Sequence, residues 1–166
     1  MDTTTWLCGP PPAEGQRQRY PSRFWPNWKR TYGPIPAKTL HMFSGSLGPE
    51  WGDTTDLRAE TGAKFIGPYD ALPIEADSYD LVVADPPYSA GFGNEWTTHR
   101  EGLPKPKRIL HEASRVAKPG AIIAILHIII IPAYKTAGVR RSALHPILTG
   151  PNNAIRVLNV FHKQGA

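Results

Sequence analysis

The run Leu81-Val82-Val83-Ala84, closed by Asp85-Pro86-Pro87-Tyr88, constrains the fold of this chain more than any other stretch. Apolar residues rich in β-branched types and stopped by prolines read as a strand buried on both faces, the kind found in parallel sheets. Open α/β sheets hold their ligands at the carboxyl ends of the strands. The quartet therefore falls where such a sheet does its chemistry. Its composition suits a planar amino group, whose lone pair is delocalised and weakly nucleophilic. The Asp85 carboxylate can accept one N–H and a carbonyl held by proline can accept the other, which turns the lone pair outward. Two prolines fix φ and carry no N–H, so the loop is stiff and presents carbonyls. The ring of Tyr88 can stack on a planar substrate. The plain alternative is a prolyl turn that begins with Asp, which is common.

A second apolar run, Ala121 to Ile131, is interrupted by His127 and is too short to cross a bilayer, which takes ~20 residues. It reads as a central strand, with His127 as a hydrogen-bonded core residue. Around these two runs we expect strands over residues 39–43, near 54–56, around 63–66, 79–84 and 121–130. A helix is expected over 107–117, where Ile109, Leu110, Ala113, Val116 and Ala117 share one face and Lys118-Pro119-Gly120 marks the stop. The chain should end in a hairpin, 139–148 with 155–162, turned by Gly150-Pro151-Asn152.

The order of these segments resembles the amino-group methyltransferases that use S-adenosylmethionine, over roughly residues 38–163. Asp85-Pro86-Pro87-Tyr88 resembles their motif IV. The stretch from Leu40 through Phe43, Ser44, Gly45, Ser46, Leu47 and Gly48 resembles motif I, a strand running into a loop beneath the cofactor. Asp56 resembles the acid that accepts the ribose hydroxyls, and Asp70-Ala71 lies where the adenine would be contacted. The residues from Ile109 to Gly120 resemble the helix and turn before the fifth strand. The resemblance implies an α/β fold: a trimmed, Rossmann-like class I methyltransferase sheet, mostly parallel, with a C-terminal antiparallel hairpin. It also implies S-adenosylmethionine as cofactor, bound by Phe43, Ser44, Gly45, Ser46, Gly48, Asp56, Asp70 and Ala71. Asp85, Pro86, Pro87 and Tyr88 become the catalytic group, and Phe92, Trp96 and His99 candidate substrate contacts.

The chain departs from that pattern in two ways. Leu47 stands where many relatives have a final motif I glycine, and Pro68 where the adenine-contacting acid is expected. Parallel strands need crossovers of a dozen or more residues, yet the stretches between Phe43 and the second strand, and between Asp56 and Ala63, hold no full helix. One-turn or irregular connections are expected there.

Residues 1–37 form a separate arm in this reading, ahead of a methyltransferase-like domain at 38–166. Pro10, Pro11, Pro12, Pro21, Pro26, Pro34 and Pro36 argue against any regular helix or strand. Tyr20, Phe24, Trp25, Trp28 and Tyr32, interleaved with Arg17, Arg19, Arg23, Lys29 and Arg30, argue against a disordered tail. Such an arm either packs its rings on the core or stacks on bases and pairs with phosphates.

The 166 residues are one domain's worth, and 19 Lys+Arg against 14 Asp+Glu leave a formal charge of +5. That balance is compatible with a polyanionic partner. The single Cys8 excludes a disulfide framework and fits the cytoplasm. There is no signal-peptide pattern, membrane segment or metal-ligand spacing. The expected function is methylation of an exocyclic amino group, adenine N6 in DNA first. RNA, a protein amide or a small molecule remain alternative substrates, and a non-catalytic nucleic-acid or partner-binding module is the other class. The minimal architecture is similar to methylase-like proteins of phages and bacteria. It leaves no room for a target-recognition domain, so specificity falls to the arm, to residues 89–106, to a second copy of the chain or to a recognition partner.

Overall fold

A computed structural model describes residues 1–9, 20–88, 102–150 and 154–165. Its centre is one eight-stranded sheet. In chain order the elements are β1 (Trp6–Leu7), α1 (Phe24–Tyr32), β2 (Thr39–Met42), β3 (Asp53–Asp56), β4 (Phe65–Ile66), β5 (Tyr79–Ala84), α2 (Pro106–Val116), β6 (Ala117–His127), β7 (Val139–Leu148) and β8 (Arg156–Lys163). The sheet order is β1-β7-β8-β6-β5-β2-β3-β4. Strands β2 to β6 pair in parallel, whereas β8 runs antiparallel to both β6 and β7. This is the mostly parallel, Rossmann-like sheet with a C-terminal antiparallel hairpin that the sequence leads one to expect.

Both faces of the central strands are buried, as parallel strands require. Along β5, Val82 and Ala84 face one core while Leu81 and Val83 face the other, and β6 divides Ile123 and Ile125 from Ala124 and Leu126 in the same way. The first core is covered by α2 through Ile109, Leu110, Ala113 and Val116. Next to it the irregular residues 67–78 take the place of a crossover helix. Buried Glu112 accepts the Leu72 amide at 2.7 Å, and the Arg115 guanidinium, paired with Glu112, donates to the carbonyls of Leu72 and Ile74.

The second core is covered by the N-terminal residues. Trp6, Tyr20, Phe24, Trp25 and Trp28 are all buried there. The expectation that residues 1–37 hold no regular element is thus overturned by α1 and by β1, which pairs in parallel with β7. Pro26 is tolerated because it is the third helical residue, in the first turn, where backbone N–H groups have no intrahelical partner. Once it is placed, Phe24, Trp28 and Tyr32 line up at i, i+4 spacing. Arg17 and Arg19 lie outside the described residues.

The other connections are short, as the spacing implied: 3₁₀ turns at Pro49–Trp51 and Ala59–Thr61 replace full crossovers. The β6 strand differs from expectation. It starts at Ala117 with an irregular register against β5 and ends at His127, so Ile128, Ile129 and Ile130 leave the strand and are exposed. Asn159, fully buried, causes the exit: it accepts the Ile131 amide at 2.8 Å and donates to the Ile129 carbonyl at 3.1 Å. Pro151 and Asn152 of the expected turn lie outside the described residues.

On the aromatic face His41 is buried between the rings of Tyr20 and Trp25, with Nδ1 2.9 Å from the Tyr20 hydroxyl and Nε2 3.0 Å from the Trp51 carbonyl. Nε2–H donates to Trp51 and Nδ1 accepts from Tyr20, which satisfies the neutral ring. Burial pushes its pKa down from 6.5 to about 4. Burial lowers those of His127 and His145 as well. A depressed folded-state value means that the unfolded chain takes up a proton first. Stability is therefore full above about pH 6.5 and falls as the pH drops toward 4. Urea midpoints at pH 7 and pH 4.5 should differ less for His41→Gln than for the wild type. Separately, Phe24→Ala should lose about 3–5 kcal/mol of stability by denaturant titration, and an unchanged midpoint would show that α1 does not hold the sheet.

Candidate active site at the carboxyl edge of the sheet

Because β2, β3, β4 and β5 are mutually parallel, the segments that follow them meet along one edge. The loop after β2 turns sharply: Phe43 and Gly45 take φ values of 59° and 54°, and the Leu47 amide donates to the Ser44 carbonyl at 3.1 Å. A left-handed conformation costs a bulky residue on the order of 1–2 kcal/mol; Phe43 packs its ring on Tyr69, centroids 5.5 Å apart, where it is held. The Ser44 amide donates to the Thr55 carbonyl at 2.9 Å, and its hydroxyl does so at 3.2 Å. Ser46 is exposed and Gly48 half-buried.

Asp56, at the end of β3, is brought against this loop. Its Oδ2 accepts the Gly45 amide at 2.8 Å, while Oδ1 accepts the Arg58 amide at 3.1 Å and Arg58 Nε at 3.3 Å. A carboxylate offers about four acceptor sites, so three are engaged, one clamping the loop through Gly45 and two holding Arg58. After β4, Asp70 pairs with Arg108 at 3.0 Å, and Ala71 is exposed in a turn on Pro68. Tyr69, Asp70, Lys105 and Arg108 help line a cavity of about 300 Å³, near the lower end of small-molecule pockets.

The quartet continues directly from β5. Pro86 is buried, while Pro87 and Tyr88 are half-buried. Asp85 lies 3.7 Å from the guanidinium of Arg156, which donates from Nη1 to the Tyr88 hydroxyl at 3.1 Å. Burial, together with the charge of Asp85, raises the Tyr88 pKa, so the hydroxyl keeps its proton at neutral pH. The Tyr88 ring also lies 5.7 Å from that of His127. His127 is the core residue expected from sequence, and its Nδ1 accepts the Ile129 amide at 3.2 Å. Phe92, Trp96 and His99 lie outside the described residues.

Arg156 is the site residue that sequence reasoning missed. It opens β8, and because β8 returns antiparallel beside β6, its first residue arrives at the edge where β5 and β6 end. The topology of the hairpin was the available signal.

No family model and no curated protein matches the chain. Solved structures do. An S-adenosylmethionine-dependent methyltransferase from Methanosarcina mazei aligns with 80% of this chain and 95% of its own at 13% identity, with a TM-score of 0.52. A chain of the complex between the Haloferax volcanii Trm112 methyltransferase activator and a methyltransferase aligns over 86% and 89%, at 13% identity and a TM-score of 0.56. TrmN from Thermus thermophilus aligns over 90% of this chain and 51% of its own, at 18% identity and a TM-score of 0.59. The fold is that of the class I S-adenosylmethionine-dependent methyltransferases.

Two features would suit that cofactor's adenosine end. A tight loop with a buried glycine closes on the acid at the end of β3, and a cavity carrying an aromatic wall and a carboxylate lies after β4. Asp56→Ala would leave the buried Gly45 amide without its acceptor, which costs about 1–3 kcal/mol. Denaturant titration without cofactor should show that loss, and unchanged stability would mean that the carboxylate does not hold the loop.

Proposed function

We propose that the chain is an S-adenosylmethionine-dependent methyltransferase acting on an exocyclic amino group, with adenine N6 in DNA as the first candidate. The observation that carries the reading is the position of Asp85-Pro86-Pro87-Tyr88, rigid and directly after β5, on the edge shared with the Gly45–Asp56 clamp. Bound cofactor supplies an electrophilic methyl group on sulfur. In this proposal the loop from Phe43 to Gly48, with Asp56, Asp70 and Ala71, holds it. Asp56 would accept hydrogen bonds from the ribose hydroxyls while its contact with the Gly45 amide holds the loop.

The chain's own residues then act by position. Asp85 accepts one N–H of the target amine, the Pro86 carbonyl accepts the other, and the Tyr88 ring stacks on the substrate plane. These contacts turn the nitrogen lone pair toward the methyl donor, and proximity supplies much of the rate. Positive charge develops on the nitrogen during attack, and the Asp85 carboxylate stabilises it. Tyr88, kept protonated, is no base; the amine sheds its proton to water once it carries the methyl group. A base in duplex DNA must leave the stack to reach such an edge, and the +5 charge favours a nucleic-acid partner.

Calorimetry with S-adenosylmethionine should give a binding heat, and label from its methyl group should pass to single- or double-stranded DNA or to RNA. Asp85→Ala should lower transfer about 100-fold or more and leave cofactor binding intact. Equal transfer by wild type and Asp85→Ala would reduce the quartet to a turn. Cofactor binding without any labelled nucleic acid would move the substrate elsewhere.

A further inference from the structure

The Asp85–Arg156 pair has a chemistry that the quartet alone does not. Both side chains are close to buried, 9% and 12% exposed, and Nη1 of Arg156 is anchored by the Tyr88 hydroxyl at 3.1 Å. Their separation of 3.7 Å is too long for a hydrogen bond between them. An anionic acceptor and a cationic donor thus stand side by side, close enough to serve adjacent atoms of one ligand. Two nitrogens joined through one sp² carbon by ~1.33 Å bonds lie about 2.3 Å apart. Hydrogen bonds of about 2.9 Å fanning slightly outward from such a pair reach partners spaced as Asp85 and Arg156 are.

We infer that Asp85 and Arg156 together read an amino group and the ring nitrogen beside it, the Watson–Crick edge of adenine (N6 and N1). The inference rests on the amino-group reading above and names its substrate class. Asp85 accepts from the amine and Arg156 donates to the neighbouring ring nitrogen. A lone aliphatic amine leaves the guanidinium N–H without an acceptor, and thymine has no amino group for Asp85; unpaired buried polar groups reject such ligands strongly. A side-chain amide has similar spacing, but the Tyr88 ring and the net charge of +5 favour a base. An ion pair that only stabilised the edge would not distinguish one ring atom from another.

The test is equilibrium binding of the full chain to single-stranded DNA trinucleotides whose central base is adenine, purine (no amino group) or 1-deazaadenine (no N1). Wild type should bind the adenine probe best and lose at least about 10-fold on either deletion. Arg156→Met should bind the adenine and 1-deazaadenine probes equally while still preferring both to purine. Equal wild-type affinity for adenine and 1-deazaadenine, no wild-type affinity for the adenine probe, or tighter binding of a glutamine tripeptide would each overturn the inference. The wild-type comparison stands even if Arg156→Met does not fold. Absence of cofactor heat beside intact N1 discrimination would sink the methyltransferase reading alone. Label transferred equally to adenine and 1-deazaadenine, with equal binding, would sink only the base-reading pair.

Discussion

Everything in this molecule depends on covering both faces of a parallel sheet with very little helix. Parallel strands are stable when both faces are buried, a need that is usually met by helical crossovers. Here the connections after β2 and β3 are too short for any. One face is closed by α2 and by residues 67–78, which the Glu112–Arg115 pair fastens down through backbone groups. The other is closed by the N-terminal residues, Trp6 of the edge strand β1 with Phe24 and Trp28 of α1, over Leu81, Val83 and Leu126. Of the aromatic residues that invite a nucleic-acid reading, Phe24 and Trp28 are structural in this fold: each is at most 1% exposed and is lost to any ligand.

That division explains what could be read in the sequence. The β5 strand, the terminal hairpin and α2 were legible because each depends on local pattern, an apolar run, a turn and a helical stripe, whereas the parallel order of the whole sheet rested on the resemblance to a known family. The helix α1 was hidden by counting prolines without asking where each would fall; Pro26 in the first turn is harmless, whereas one turn later it would break the helix. The end of β6 was hidden for a different reason. Ile128 to Ile130 are as apolar as the strand before them, and only Asn159, thirty residues on, diverts the backbone. A residue's local composition cannot reveal a partner of that kind.

The candidate site shows the same split. Asp85, Asp56 and Gly45 were legible because a strand end, an acid and a glycine are positional signals. What they bond to was not. Asp56 spends most of its acceptor capacity on the Gly45 and Arg58 groups, so it shapes the loop before it meets any ribose. The Tyr88 hydroxyl, irrelevant to a ring that only stacks, is the anchor for Arg156. Tyr88→Phe would therefore disturb a charged neighbour as well as a hydroxyl.

Arg156 also bears on how so small a chain can be selective. Specificity that arises at the edge itself depends on the few groups that this trimmed fold places there among the described residues. The antiparallel return of β8 supplies one at no expense in chain length: reversing the last strand carries its first residue to the edge where the parallel strands end. A parallel last strand would have placed residue 156 at the opposite edge, where the carboxylate of Asp85 could not reach it. The hairpin is thus both the cap of the sheet and the source of the cation beside the quartet. The charge balance follows from the same geometry. In the proposed reaction an isolated arginine next to an amine that gains positive charge would oppose the transfer, and the Asp85 carboxylate, 3.7 Å from Arg156, offsets part of that positive charge.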